Sequence, residues 1–239
     1  MIEGLTVADC ERVIEAVRPA DRPAVSARLS PEREWQRLFK KCSIEIRRVL
    51  TDRSFDLLRT GSYVHENKFA KVLLWRCDNF AVRAHFWQKT ETANDRGNIH
   101  DHSFSFASYV LTGSIENIHW RLSDSEGEPY NLHHYNPRIG RTKYEMAFIR
   151  TCNANIARTE CLSAGAYYGW PSGELHETRV LSTPTVTVIV EQSQIGQSAP
   201  IRVLSHRYPD RDFTIGSPSI GESEMDQHLR LTLKYLQGK

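Results

Sequence analysis

Apolar and polar positions follow two different rhythms along this chain, and the rhythm changes near residue 62. Before that point the spacing is helical. Residues 5–18 place Val7, Val13, Ile14 and Val17 broadly on one side, Thr6 is positioned to cap the segment, and Pro19 and Pro23 break it. A stronger helix is predicted to begin at Ser30-Pro31, a capping residue followed by proline at the first helical position. Trp35, Leu38, Phe39, Cys42, Ile46, Val49 and Leu50 then advance in steps of three and four along one face, with arginine and lysine filling the other. Both helices are expected to pack on the outside of the rest of the chain.

From about residue 62, short apolar segments are separated by turn residues: KVLLWRC, FAVRAHFWQ, FSFASYVLTG, IENIHWRL, MAFIRTC, NIARTECL, HETRVL and TVTVIVEQ. Many short strands with Gly, Pro, Asn and Asp between them predict a sandwich or barrel rather than βαβ units. Residues 123–142 are polar and turn-rich, and read as a long hairpin loop or an excursion. A last helix is expected near 223–236, where Met225, Leu229, Leu233 and Leu236 recur every three or four residues. The expected organisation is a helical flank over 1–60, one β-barrel over 61–205 and an extension over 206–239.

Composition narrows the functional classes. The 31 basic and 29 acidic residues nearly cancel, so electrostatics give no reason to expect nucleic acid or an anionic membrane as partner. Five cysteines are scattered without a C-x-x-C pair, which favours a reducing cytoplasm over a disulfide-stapled secreted domain. The N-terminus has acidic residues where a signal peptide needs basic ones, and no apolar run approaches the ~18 residues of a membrane span.

The chemistry is concentrated in two segments. In Asn98-Ile99-His100-Asp101-His102, alternate side chains of an extended strand share a face, so His100 and His102 are expected to point together into a barrel and chelate one metal. The segment from Gly165 to His176 has the form G-x5-P-x-G-x2-H, with Pro171 and Gly173 making a tight turn that delivers His176 at the start of a strand. His176 can complete a facial set of three nitrogens and leave other coordination positions open.

Together these segments resemble the two motifs of the cupin superfamily. His100-x-His102 with Gly113 closing the next strand is similar to the first motif, and residues 165–176 match the second through His176. The resemblance spans roughly 70–195. It implies an all-β core, the double-stranded β-helix or jelly-roll barrel, with the N-terminal helices packed outside. The usual first motif places a glutamate four residues after its second histidine; here that position is Phe106. The implied ligand set is therefore three neutral histidines, as in the cysteine dioxygenase-like thiol dioxygenases, which hold Fe(II). Two departures from that branch stand out: no cysteine lies near Phe106-Ala107 to form a cysteine–tyrosine crosslink, and TVTVIVEQS lacks the histidine and tyrosine of the corresponding strand.

Supporting residues are expected around this centre. Arg83 or Arg76 could clamp a substrate carboxylate, a task suited to the planar guanidinium, or could be surface arginines. Glu191 could be a general base, an acceptor behind the ligands, or the exposed end of its strand. Phe104, Phe106 and Ser108 share the interior parity of the histidines, while Tyr168 and Trp170, in the turn before His176, could edge the pocket mouth. His85 and His119 are expected to be structural, His133 and His134 to be solvated in the polar loop, and His65, His206 and His228 to have no chemical role.

These readings lead first to a mononuclear non-haem Fe(II) oxygenase acting with dioxygen on a small polar, thiol or amino-acid-like substrate. Zn(II), Mn(II), Ni(II) or Cu(II) are the alternative metals. The competing classes are a metal-dependent lyase or isomerase and a non-catalytic ligand-binding cupin, and a homodimer is compatible with each.

Overall fold

A computed structural model describes residues 4–17, 30–87, 97–135, 143–193 and 200–237. Pro19, Pro23 and the end of the expected 123–142 excursion lie outside these residues. The helices are α1 (Val7–Ala16), α2 (Pro31–Asp52), α3 (Asp56–Thr60) and α4 (Glu222–Gln237). The strands are β1 (Tyr63–Val64), β2 (Ala70–Arg76), β3 (Phe80–Trp87), β4 (Ile99–His100), β5 (Phe104–Thr112), β6 (Ser114–Ser123), β7 (Glu128–Tyr135) and β8 (Lys143–Ser163). They continue with β9 (Tyr167–Trp170), β10 (His176–Val180), β11 (Thr185–Ser193), β12 (Ile201–Ser205) and β13 (Phe213–Gly216).

Two antiparallel sheets form the body. The first has the order β1-β2-β3-β11-β5-β9 and the second β13-β8-β6-β10-β4-β12-β7, with β7 also pairing β8. Strands far apart in sequence lie side by side, as when β11 runs between β3 and β5. This winding of two facing antiparallel sheets is the double-stranded β-helix. Among the described residues, no helix is long and apolar enough to cross a membrane.

Strand alternation sorts the first sheet into two unlike faces. Val72, Val82, Ala84, Phe86, Val186, Val188 and Val190 point outward into one apolar core with Trp35, Leu38 and Cys42 of α2, Cys10 and Val13 of α1, and Met225 and Leu229 of α4. This is why the helical face read from sequence is buried. Thr6 and Asp9 form a capping box at the start of α1, and Asp9 also reaches Lys41 of α2 at 2.8 Å, tying the two helices together. The opposite face of the sheet looks toward the second sheet and carries the site.

Two expectations of local structure change. The polar stretch after residue 123 contains β7, which pairs both β8 and β12. Its composition hid a strand because one face of it is polar. His133 is accordingly fully buried, among Phe148, Tyr208 and Phe213, rather than solvated. The C-terminal segment is built into the body, since β13 extends the second sheet along β8 and α4 packs on α2.

Candidate metal centre

Register places the three motif histidines in one cluster. His176 opens β10 and stands opposite His100 of β4 on one side and His119 of β6 on the other. His102 comes just after the short β4, beyond the strand itself. One ligand nitrogen from each of His100, His102 and His176 can be chosen so that all lie within 4.8 Å of one another. His102 Nε2 and His176 Nε2 are 3.0 Å apart. Metal–imidazole bonds of about 2.0–2.1 Å meeting at a right angle would separate two nitrogens by about 3.0 Å, so this pair already has the spacing a shared ion requires.

The local chain explains why the rings converge. Gly173 has φ +76°, a left-handed conformation that favours glycine and turns the chain back just before His176. Its N–H donates to the His102 carbonyl at 2.9 Å. Asp101, between the two histidines, faces the other way: its carboxylate accepts the Arg202 backbone N–H at 2.7 Å and Arg202 Nε at 2.6 Å. Arg202 Nη2 in turn donates to the Gly173 carbonyl. Asp101 and Arg202 therefore clasp the loop carrying His100 and His102 to the turn carrying His176. Sequence reading missed this clasp, although the aspartate between two histidines was a visible hint.

Electrostatics favour the ligand form of each ring. Burial lowers the pKa of His100, His102 and His176, with mutual repulsion adding to the effect on His102 and His176. All three are thus neutral near pH 7, and a metal need displace no proton from a charged imidazole. His100 Nδ1 lies 3.0 Å from the Asn98 carbonyl, which fixes that nitrogen as the donor and leaves Nε2 as a lone pair. Asn98 Nδ2 donates to Tyr208 Oη at 2.6 Å, and Tyr208 donates to Glu66. Buried neutral nitrogens with no carboxylate among them suit iron, zinc, copper or nickel better than calcium or magnesium. The residues fit a transition-metal ion.

The surroundings are aromatic on one side and charged on another. Phe104 and Phe106 stand 4.8 and 5.3 Å from the His102 ring, and Trp170 stands 4.5 Å from His176. Trp170 is a buried strand residue of β9, not part of a turn; Tyr168 precedes it on the same strand, and Ser108 faces Tyr168 in register and is fully buried. Across the first sheet, Glu191 is buried rather than exposed at a strand end. It accepts from Arg83 Nε at 2.9 Å and pairs with Lys71 Nζ at 3.2 Å. Arg83 also donates to the Gly61 carbonyl at 2.5 Å. Arg76 is exposed at the end of β2 opposite Ala81, because the β2 bulge and strand end leave it without cover.

The remaining histidines divide by contact. His119 stacks on Trp170 at 4.0 Å, and burial lowers its pKa to about 4. His85 is buried among Phe69 and Trp87. His65, for which the sequence offered no role, lies 6.0 Å from the His100 ring and stacks on Phe69. Lys71 and His65 are the site residues sequence reading did not find.

No protein-family model matches the chain, and no curated protein matches it. Solved structures align with part of it. Hydroxypropylphosphonic acid epoxidase from S. wedmorenis is 14% identical, with a TM-score of 0.33 over 52% of this chain and 50% of that one. KdgF from Halomonas sp. is 11% identical, TM-score 0.32, over 54% of this chain and 81% of that one. The Cnp3 cupin domain of Schizosaccharomyces pombe is 10% identical, TM-score 0.31, over 53% and 61%. The alignment spans about half the length of the epoxidase. Nothing about the site rests on likenesses this distant.

Proposed function

We propose that this chain is a mononuclear metal-dependent oxygenase in which His100, His102 and His176 hold Fe(II) beside a small anionic substrate. One observation carries the reading: three neutral imidazoles, His176 buried and His100 and His102 half-buried, converge without a carboxylate against a wall of Phe104, Phe106 and Trp170. When bound, iron would supply redox chemistry with dioxygen and an electrophilic centre for an anionic substrate atom. Because the protein ligands are neutral, they leave the ion's charge uncompensated and favour an anionic donor such as a thiolate or carboxylate. The aromatic wall keeps bulk water from the reacting atoms. Glu191 is held by two cations and serves as their counter-ion rather than as a base. For a thiol, the net change is RS⁻ + O2 → RSO2⁻, in which sulfur is oxidised, dioxygen is reduced and both its atoms enter the product.

Anaerobic loading with Fe(II), metal analysis and an oxygen electrode test this assignment against thiols, amino acids and other small carboxylates. The expected result is about one iron per chain and oxygen uptake stoichiometric with one substrate class. Bound iron with no uptake across that panel would instead favour a metal-dependent lyase, where the ion acts as a Lewis acid. Failure to retain any transition metal overturns the assignment.

A further inference from the structure

The long strand β8 has one edge that the fold leaves open. Asn153 pairs with Ser123 of β6 and with Pro129 of β7, and Ala154 pairs with Leu122 and Glu128. A residue in a strand has only two edges to offer, so β6 and β7 lie on opposite sides of β8. β6 follows β8 as far as Ser163, whereas the pairing with β7 stops at Ala154. Among the described residues, no strand pairs with that second edge beyond Ala154. Alternation in a covered strand would bury every second residue. Here Ile156, Ala157, Arg158, Thr159, Glu160 and Cys161 are all exposed.

Hydrogen bonding fixes which backbone groups point out of this edge. The Trp120 N–H donates to the Leu175 carbonyl at 3.0 Å and the Leu181 N–H to the Ser114 carbonyl at 3.0 Å. Even-numbered residues of β6 therefore turn their backbone groups toward β10, and odd-numbered ones toward β8. The β8 partners of Ile115, Asn117 and His119 are Leu162, Glu160 and Arg158, which spend their N–H and C=O groups on β6. Thr159 and Cys161 are left aiming theirs at the open edge. The regular run ends at a bulge, where Ala157 is the extra residue between the partners of His119 and Trp120. A row of unpaired backbone donors and acceptors on an exposed edge is a template for another strand.

We propose that a second copy of this chain pairs along this edge, antiparallel about a two-fold axis at Thr159, so that the two β8 strands join into one continuous sheet. Charge selects both the occupant and the register. Directly opposed residues of antiparallel strands interact, and like charges placed opposite each other repel. An axis at Glu160 would set that carboxylate against its own copy, and an axis at Arg158 would do the same to the guanidinium. An axis at Cys161 would leave Arg158 and Glu160 facing the uncharged Ala164 and Leu162. The axis at Thr159 places Arg158 of each copy opposite Glu160 of the other, giving two cross-strand ion pairs, and brings the outward N–H and C=O of the two Thr159 residues together. Ile156, 50% exposed in the single chain, falls within the contact. One patch that complements itself in this way is what a two-fold interface requires. The inference is independent of the metal assignment, because β8 supplies none of the three histidines.

The test is analytical ultracentrifugation of the full-length protein over about 1–100 μM, with circular dichroism to confirm that each variant is folded. Wild-type protein should sediment as a reversible dimer. Thr159→Pro removes an outward N–H and no hydrogen bond to β6, so it should leave a folded monomer. Arg158→Glu sets carboxylates opposite each other and should weaken the dimer by about tenfold or more, as Glu160→Arg should with two guanidiniums. The double variant Arg158→Glu/Glu160→Arg reverses both pairs and should recover most of the wild-type affinity, a rescue that a general loss of stability would not show. A wild-type monomer throughout this range overturns the proposal. So does a dimer that persists unchanged in folded Thr159→Pro or in the single charge reversals, or a double variant as weak as the singles.

Discussion

The two faces of the first sheet solve opposite problems with the same four strands. On the outward face of β2, β3, β11 and β5, valines, alanine and phenylalanine close against α1, α2 and α4 in one dry core. On the inward face, Lys71, Arg83, His85, Thr187, Glu191 and Ser108 supply polar groups, interleaved with Ile189 and Phe106. Among the described residues, His85 Nε2 and Thr187 Oγ1 on this face are buried with no hydrogen-bond partner. The fold thus keeps its stability on the outward face and its chemistry on the inward one. An inward face this polar could not hold a barrel together by itself, because each unpaired group opposes folding. The helical cover supplies apolar burial that the metal end forgoes.

This division is most sharply broken by removing a ligand. Structural zinc sites with four ligands bind with about 10–16 kcal/mol, so deleting one of three imidazoles should cost roughly 4 kcal/mol, about a thousandfold in affinity. His176→Ala is therefore expected to lose tight Fe(II) binding, measured by anaerobic titration with a competing chelator. The metal-free variant should change little in melting temperature, since the packing lost beside Trp170 is offset by removal of a buried unpaired Nδ1. A large drop in metal-free stability would show that the inward face holds the fold after all.

The converse substitution belongs to the outward face. Trp35 is fully buried and touches the rings of Phe39 and Tyr109. Trp35→Ala should destabilise the protein by about 3–4 kcal/mol in chemical unfolding, with metal affinity unchanged in the folded fraction. Coupled loss of both would join the two faces energetically and remove the contrast.

Glu191 sharpens the comparison through pH. Burial pushes its carboxyl up, but Arg83 and Lys71 outweigh this and hold it below the usual range. A carboxyl depressed on folding contributes stability above its unfolded value, near 4.5, and that contribution is lost as pH falls through the folded value. Wild-type melting temperature should therefore fall from about pH 4.5 downward. Glu191→Gln should flatten that part of the profile and cost about 3 kcal/mol near neutrality by leaving two cations short of a partner. An identical acid profile in wild type and variant would show that the ion pair contributes nothing to the folded state.

Range along the chain decided how much of this could be read from the sequence. The helices were legible because their periodicity is local, and α2 buries the face that its three- and four-residue steps mark. The ligands were legible because two histidines with alternate spacing and one after a Gly-Pro-Gly turn have few structural uses. Lys71 was not. In KVLLWRC it reads as the polar start of an apolar strand, and its meaning comes only when β3 lies between β2 and β11 and the Lys71 side chain reaches diagonally to Glu191, at 3.2 Å. Glu191 itself looked like a strand end for the same reason. His133 was misplaced because its segment is polar in composition, while its burial depends on β8 and β12 pairing on either side. Register between distant strands leaves no mark in any single window of sequence.

The Asp101–Arg202 clasp gives the smallest effect and the finest test of how the two faces divide labour. It lies behind the ligands, on the second sheet, and touches no substrate position. Its carboxylate and guanidinium fix the spacing between the loop of His100 and His102 and the turn of His176. Groups that orient metal ligands typically change affinity by about 10- to 100-fold when removed. Asp101→Ala should fall in that range for Fe(II), measured by chelator competition. Arg202→Ala should fall there as well, and the double variant should lose little more than either alone, because both act through one linkage. His134→Ala, which stands opposite Arg202 on β7 but makes none of the clasp's hydrogen bonds, should change affinity much less than either. Additive losses in the double variant would mean that each residue acts on the fold separately, and the histidine spacing would then be set by the β4–β10 register alone.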